Sequence, residues 1–147
     1  MPTKAELEEL SYLRLKEARV LYKAGHYRGA HYLAGYTIEL SLKARICKIL
    51  NIESYFNSNI DVSKEVARIY KTHDLTQLLF LSGLKTKFEE AKYLNEELKT
   101  NWGIVNNWNE GYRYLPVGPN QKAITLDFLN AIDDSDNGVF TWIKKHW

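Results

Sequence analysis

Apolar positions recur along this chain at helical spacing, and no stretch shows the strict alternation of a strand. The clearest segment is Gly25 to Leu50, GHYRGAHYLAGYTIELSLKARICKIL. At about 100° per residue, Ala30, Leu33, Ala34, Thr37, Leu40, Ser41, Ala44 and Cys47 fall in one broad stripe. Ile38, Leu42, Ile46 and Ile49 carry that surface further round, and only Tyr32, Tyr36, Glu39 and Lys43 form a narrow amphipathic strip. A helix apolar on so many sides is covered from several directions, which predicts the centre of a helical bundle. The small residues Gly29, Ala30, Ala34, Gly35, Ser41 and Ala44 allow neighbours to come close.

The other elements follow by the same reasoning. Thr3 and Glu6 have the spacing of a capping box, and Leu7, Leu10, Ala18, Leu21 and Tyr22 carry a first helix to Ala24, where Gly25 ends it. So short a connection makes the first two helices an antiparallel hairpin. Arg14 lies in the apolar stripe, where its stem packs and its head finds a carboxylate. Residues 51–71, with Asn57, Ser58, Asn59 and Asp61, read as a long connection with a helical turn over 62–70. THDLTQLLFLSGL predicts a short helix capped by Thr72 and stopped by Gly83. Phe88, Ala91, Leu94, Leu98, Trp102 and Val105 mark one long amphipathic helix, and residues 109–121 a loop. Ile124, Phe128, Ile132, Val139 and Trp142 carry the last helix, with Gly138 a weak point in it.

Composition narrows the class. The 147 residues suit one domain, 1–147, with a single core. A net charge of +2 does not announce a nucleic-acid binder, although a local basic patch remains open. Ten Tyr and four Trp give the chain aromatic surface to place at an interface. The single Cys47 excludes an intrachain disulfide and a multi-cysteine zinc site, and reads as a small core residue. No apolar run approaches the roughly 18 residues of a membrane span. The charged start MPTKAELEEL lacks the apolar segment of a secretory signal, so the expected compartment is the cytoplasm.

Three segments carry a resemblance. YRGAHYLAGYTIELSLKARI resembles the second-helix signature of HEPN domains, THDLTQLLFLSGL is similar to that family's short His-Asp-Leu helix, and NWGIVNNWNEGYRY is similar to its Trp-containing stretch ending in Arg-Tyr. They occur in the expected order. The resemblance implies an all-α, five-helix, mostly antiparallel up-and-down bundle that dimerises. It also implies function: family members act as metal-independent ribonucleases, commonly toxins of toxin–antitoxin pairs, bind nucleotides, or partner a nucleotidyltransferase. The nucleolytic branch carries an Arg, with a polar residue beside it, followed four to six residues later by His on the penultimate helix or just after it. There the His serves as base on the ribose 2′-OH and the Arg stabilises phosphate charge.

This sequence departs from that pattern, because Arg113 is followed by no His until His146. Arg68 and His73 satisfy the spacing, but before the position the family uses, and His73 beside Asp74 at a helix start reads as structural. The expected function is therefore a non-catalytic or degenerate HEPN domain that binds a nucleotide or serves as helical partner of another protein. The alternative is a metal-independent endoribonuclease using Arg113, or Arg68 with His73, together with residues from the other subunit. The candidate nucleotide-binding group is Tyr36, Glu39 and Lys43 with Trp108, Arg113 and Tyr114, since Arg and Lys hold phosphate and Trp or Tyr stacks on a base. The competing reading pairs Glu39 with Arg113 and uses the aromatics as filling. No metal or organic cofactor is expected. His26 and His31 lack a third ligand and read as a solvated helix end, and the acidic run 133–138 lacks the bidentate acid of a calcium loop.

Overall fold

The structure, a computed structural model, describes residues 2–55 and 63–147. Among these residues the chain is all-helical. Helices α1 (Lys4–Lys23), α2 (Tyr27–Leu50), α3 (Lys64–Tyr70), α4 (Leu75–Leu81), α5 (Lys85–Leu94), α6 (Glu96–Val105), α7 (Gln121–Asp133) and α8 (Val139–Lys144) are joined by a 3-10 turn, Glu110–Tyr114, between α6 and α7.

The capping box at the start of α1 is formed: the Thr3 amide donates to the Glu6 carboxylate at 2.7 Å, and the Glu6 amide donates to the Thr3 hydroxyl. The backbone bond from Thr3 holds the Glu6 carboxyl below its ordinary range. Gly25, at φ +85°, turns the chain in the left-handed region that glycine enters without a steric cost. Tyr22 and Tyr27 pack across that turn with ring centres 5.2 Å apart. At the opposite end Thr3 forms an isolated antiparallel bridge with Ser54, just past α2. The start of α1 thus meets the end of α2, and the predicted antiparallel hairpin is present. Arg14 pairs with Glu17, as its position in the stripe suggested.

Helix α2 is the central rod. Ala30, Ala34, Ile38, Leu42, Ala44 and Ile46 are fully buried, and α1, α4, α7, α8 and the 3-10 turn all pack on it. Burying each large aliphatic side chain contributes about 1.5–3 kcal/mol, so this helix is held by packing from all sides. Cys47 is a core residue whose thiol burial pushes up to about 11, far from a reactive thiolate.

Three local expectations need correction. The long helix expected over Phe88 to Val105 is broken at Asn95, whose backbone is extended and whose side chain caps α6 by accepting from the Leu98 amide at 3.1 Å. The last helix is likewise interrupted between Asp133 and Val139. There the Asp134 carboxylate accepts from the Asp136 and Asn137 amides at 3.0 and 2.7 Å, an Asx turn. A Cβ on Gly138 would lie 2.6 Å from the Asp134 carbonyl oxygen, so the tight turn admits only glycine. The cap of α4 is Asp74, which accepts from the Gln77 amide at 3.0 Å, while Thr72 supports the lead-in by accepting from the Asp74 amide. The turn expected over 62–70 is α3, and the polar connection at Asn57, Ser58, Asn59 and Asp61 lies outside the described residues.

Candidate functional site

The polar strip of α2 is the floor of the site. Tyr32, Tyr36, Glu39 and Lys43 recur at helical spacing on one face, and the 3-10 turn and the lead-in to α4 close over that face. Lys43 Nζ lies 2.7 Å from Glu39 Oε1, with both side chains almost wholly buried, and 5.2 Å from the centre of the Tyr55 ring. A surface pair here would be worth a few tenths of a kcal/mol. Burial changes that account: each charge is desolvated, and each requires the other to remain.

His73 links this buried pair to the surface. Its Nδ1 donates to the Glu39 carboxylate, 2.9 Å from Oε2 and 3.0 Å from Oε1. Its Nε2 lies 3.1 Å from Oε2 of Glu110 at the start of the 3-10 turn. Each ring nitrogen thus faces a carboxylate. The expected alternative, in which Glu39 pairs with Arg113, does not hold: Glu39 is taken by Lys43 and His73.

Trp108 positions the covering segment. Its ring lies flat on Gly35, where an added Cβ would fall 2.0–2.2 Å from the indole atoms. The indole N–H donates to the Tyr32 carbonyl at 3.0 Å, and the Tyr36 ring meets it edge-on at 5.0 Å. With 3% of its surface exposed, Trp108 is a wedge beneath the site and offers no free face to a base. The small residue at position 35 admits an indole rather than a neighbouring helix.

The turn Glu110–Tyr114 has a second anchor. Tyr112 stacks on His31 at 4.9 Å and 27°, and the other face of His31 stacks on Phe128 at 4.1 Å and 25°. Arg28 lies 5.5 Å over the Tyr112 ring and donates to the Pro116 carbonyl. His31 is therefore not part of a solvated helix end. Burial, with the Arg28 charge adding, drives it down to about 4, so it sits in the stack as a neutral ring. Its Nδ1 is buried without a hydrogen-bond partner.

Arg113 and Tyr114 face outward. Tyr114 is 77% exposed, and the Arg113 guanidinium lies 4.8 Å from its ring centre. A side-chain bond to Tyr32, with a second to Tyr114, raises the Arg113 pKa further above its ordinary value. The Tyr32 and Tyr36 hydroxyls are 3.0 Å apart. Burial, with the Tyr32 bond second, raises the Tyr36 pKa, so it stays a neutral phenol.

Between the lead-in to α4 and the segment following α6 lies an open cleft of about 590 Å³. His73, Glu110, Arg113 and Tyr114 line it, together with Asn106, Asn107 and Asn109. Such a set can hold an anion between Arg113 and His73, stack a planar ring on Tyr114, and offer amides to a base edge. Of the sequence candidates, Arg113, Tyr114, His73 and the small exposed edge of Trp108 line one cleft, the rest of Trp108 fills space beneath it, and Tyr36, Glu39 and Lys43 support it from below. Arg68, exposed on α3, is not among the lining residues, so the Arg68/His73 pair is not assembled there.

Sequence reasoning omitted Glu110 and Tyr32 from the site. Both had a detectable signal, since Glu110 is three residues from Arg113 and Tyr32 four from Tyr36, but the first lay in an assumed loop. Among the described residues no group of three or more His, Cys, Asp or Glu is placed to hold a metal, and no helix is long and apolar enough to cross a membrane. No family model, curated protein or solved structure matches the chain.

Proposed function

We propose that the chain is a HEPN-like helical domain whose cleft binds a nucleotide without cleaving nucleic acid. Support for the fold plan comes from counting the interrupted pairs α5–α6 and α7–α8 as one rod each. With α1, α2 and α4 they make five, apart from the short α3. The observation that carries the functional reading is the joint placement of exposed Arg113 and Tyr114 in one cleft with His73: a cation for phosphate, a ring for the base and a second donor within reach. A homodimer, and a nucleotidyltransferase or antitoxin as partner protein, belong to the same proposal by resemblance. Thermal-shift titration with adenosine and guanosine mono- and triphosphates tests it. A concentration-dependent rise in melting temperature that is lost in Arg113→Gln is expected. No rise at millimolar ligand in a folded protein overturns it, and light scattering that shows monomer across a dilution series removes the dimer.

A second reading, the metal-independent endoribonuclease, is favoured by one observation. His73 is held from behind by the buried Glu39 carboxylate and turns its other nitrogen toward the cleft that contains Arg113. That is the arrangement of an oriented general base beside a phosphate-stabilising cation. However, Glu110 lies against Nε2, the nitrogen that would have to take a proton from a 2′-OH. The binding reading therefore stands first. RNA cleavage that persists with EDTA and is abolished by His73→Ala reverses the order.

A further inference from the structure

We propose that Glu110 is a built-in occupant of the ligand's anion seat, displaced by the terminal phosphate monoester of the incoming nucleotide. The inference rests on the nucleotide-binding reading above and specifies which part of the ligand the cleft selects.

The two sides of His73 differ in kind. On the inner side Glu39 belongs to the central helix, is buried, and is fixed by Lys43. On the outer side Glu110 is about half exposed, and it sits at the end of a five-residue 3-10 turn in which no residue is buried. The inner contact is structural and the outer one is easily exchanged, because exposed ion pairs are weak and water can take over both partners. The 3-10 repeat of three residues per turn puts Glu110 and Arg113 on the same face. The carboxylate and the cation therefore look into the same cleft, and both line it.

Charge then identifies the ligand group. Glu39 and Lys43 cancel beneath the floor. Asp74 lines the cleft but spends its carboxylate on the first turn of α4. Of the remaining groups, Glu110 takes up the outer nitrogen of His73 and leaves Arg113, held by Tyr32 and stacked on Tyr114, as the cation facing the opening. A monoanionic diester that displaced Glu110 would exchange one negative charge for another at His73. A phosphate monoester carries nearly two charges at neutral pH and three acceptor oxygens, so it can satisfy His73 Nε2 and the Arg113 guanidinium together. The position of Glu110 Oε2, 3.1 Å from Nε2, marks where one of those oxygens would sit.

Isothermal titration of the full chain with inorganic phosphate, adenosine 5′-monophosphate, adenosine and the dinucleoside monophosphate ApA tests this, comparing the natural protein with Glu110→Gln and Arg113→Gln. Glutamine keeps the size of the side chain and removes its charge, and unchanged melting in the absence of ligand checks that the fold is kept. The expected result is a several-fold gain in affinity of Glu110→Gln for phosphate and the monophosphate, a smaller gain for ApA, and none for adenosine. Equal or weaker monophosphate binding by Glu110→Gln, while the natural protein still binds it in an Arg113-dependent way, overturns the inference and leaves the nucleotide reading standing. An equal gain for ApA overturns the monoester assignment. If neither the natural protein nor Glu110→Gln binds any phosphate-bearing probe, the nucleotide reading falls and this inference falls with it.

Discussion

Replacing Gly35 with alanine tests how the site is held in place. Helix interiors favour alanine over glycine by about 1 kcal/mol, so propensity alone makes Gly35→Ala stabilising. The structure reverses that sign. The new Cβ would sit 2.0 Å from the Trp108 ring, where carbon atoms in contact rest about 3.5–4.0 Å apart, so the indole must withdraw by about 1.5 Å or more. Withdrawal breaks the indole bond to the Tyr32 carbonyl, worth about 1 kcal/mol, and the edge-on contact with Tyr36, worth about the same. Forcing the ring into its surroundings adds about 1–3 kcal/mol. After the propensity gain is deducted, the net loss is about 2–4 kcal/mol, or about 5–15 °C in melting temperature for a chain of this size. Urea denaturation followed by circular dichroism measures it. The cycle closes with Trp108→Ala, in whose background Gly35→Ala should lose most of its cost. A Gly35→Ala protein within about 0.5 kcal/mol of the natural one, the ordinary range of a surface substitution, refutes the reasoning.

Three further outcomes can be measured independently. Because His31 is depressed in the fold to about 4, its neutral form contributes stability above the unfolded value of 6.5, and this is lost as pH falls through that window. The full loss is about 3 kcal/mol, and His31→Phe should flatten the acid limb of urea midpoint against pH; parallel limbs in the two proteins contradict this. Asn95→Ala removes the cap of α6 and the Asn95 donor bond to Asn137, costing about 1 kcal/mol in the same denaturation assay, whereas Asn95→Asp keeps the cap. Lys43→Met leaves the buried Glu39 carboxylate held only by the half-exposed His73 and should cost about 3 kcal/mol, the lower end for breaking a buried pair, most of it regained in Glu39→Leu/Lys43→Met; a double variant as unstable as the single one argues against an electrostatic cause.

The central helix was legible because its signal is a sum over many residues: apolar positions on every side of a 3.6-residue period have few explanations other than burial on every side. The breaks at Asn95 and Asp134 were not, because the apolar period runs straight through both. Leu94 and Leu98 keep helical spacing across a residue whose backbone is extended, and only the Asn followed by two acids signals a fresh start. The candidate site was half legible. Arg113, Tyr114 and the α2 strip came from residue type and spacing, but the burial of Glu39 and Lys43 depends on residues outside the helix, such as His73 and Tyr55, lying against them. His31 was misread for a similar reason. A histidine near a helix end is solvated by default, and here Tyr112 and Phe128, distant in sequence, sandwich it.

The stack of Tyr112 on His31 has a mechanical consequence. Tyr112 pins a single turn that carries opposite charges at its two ends. Because it is clamped between Arg28 and a buried ring, the backbone of that turn is held, and the acid can swing aside only by rotating its own side chain. On the proposed reading, release of the seat then leaves the guanidinium where it was, ready to receive the phosphate.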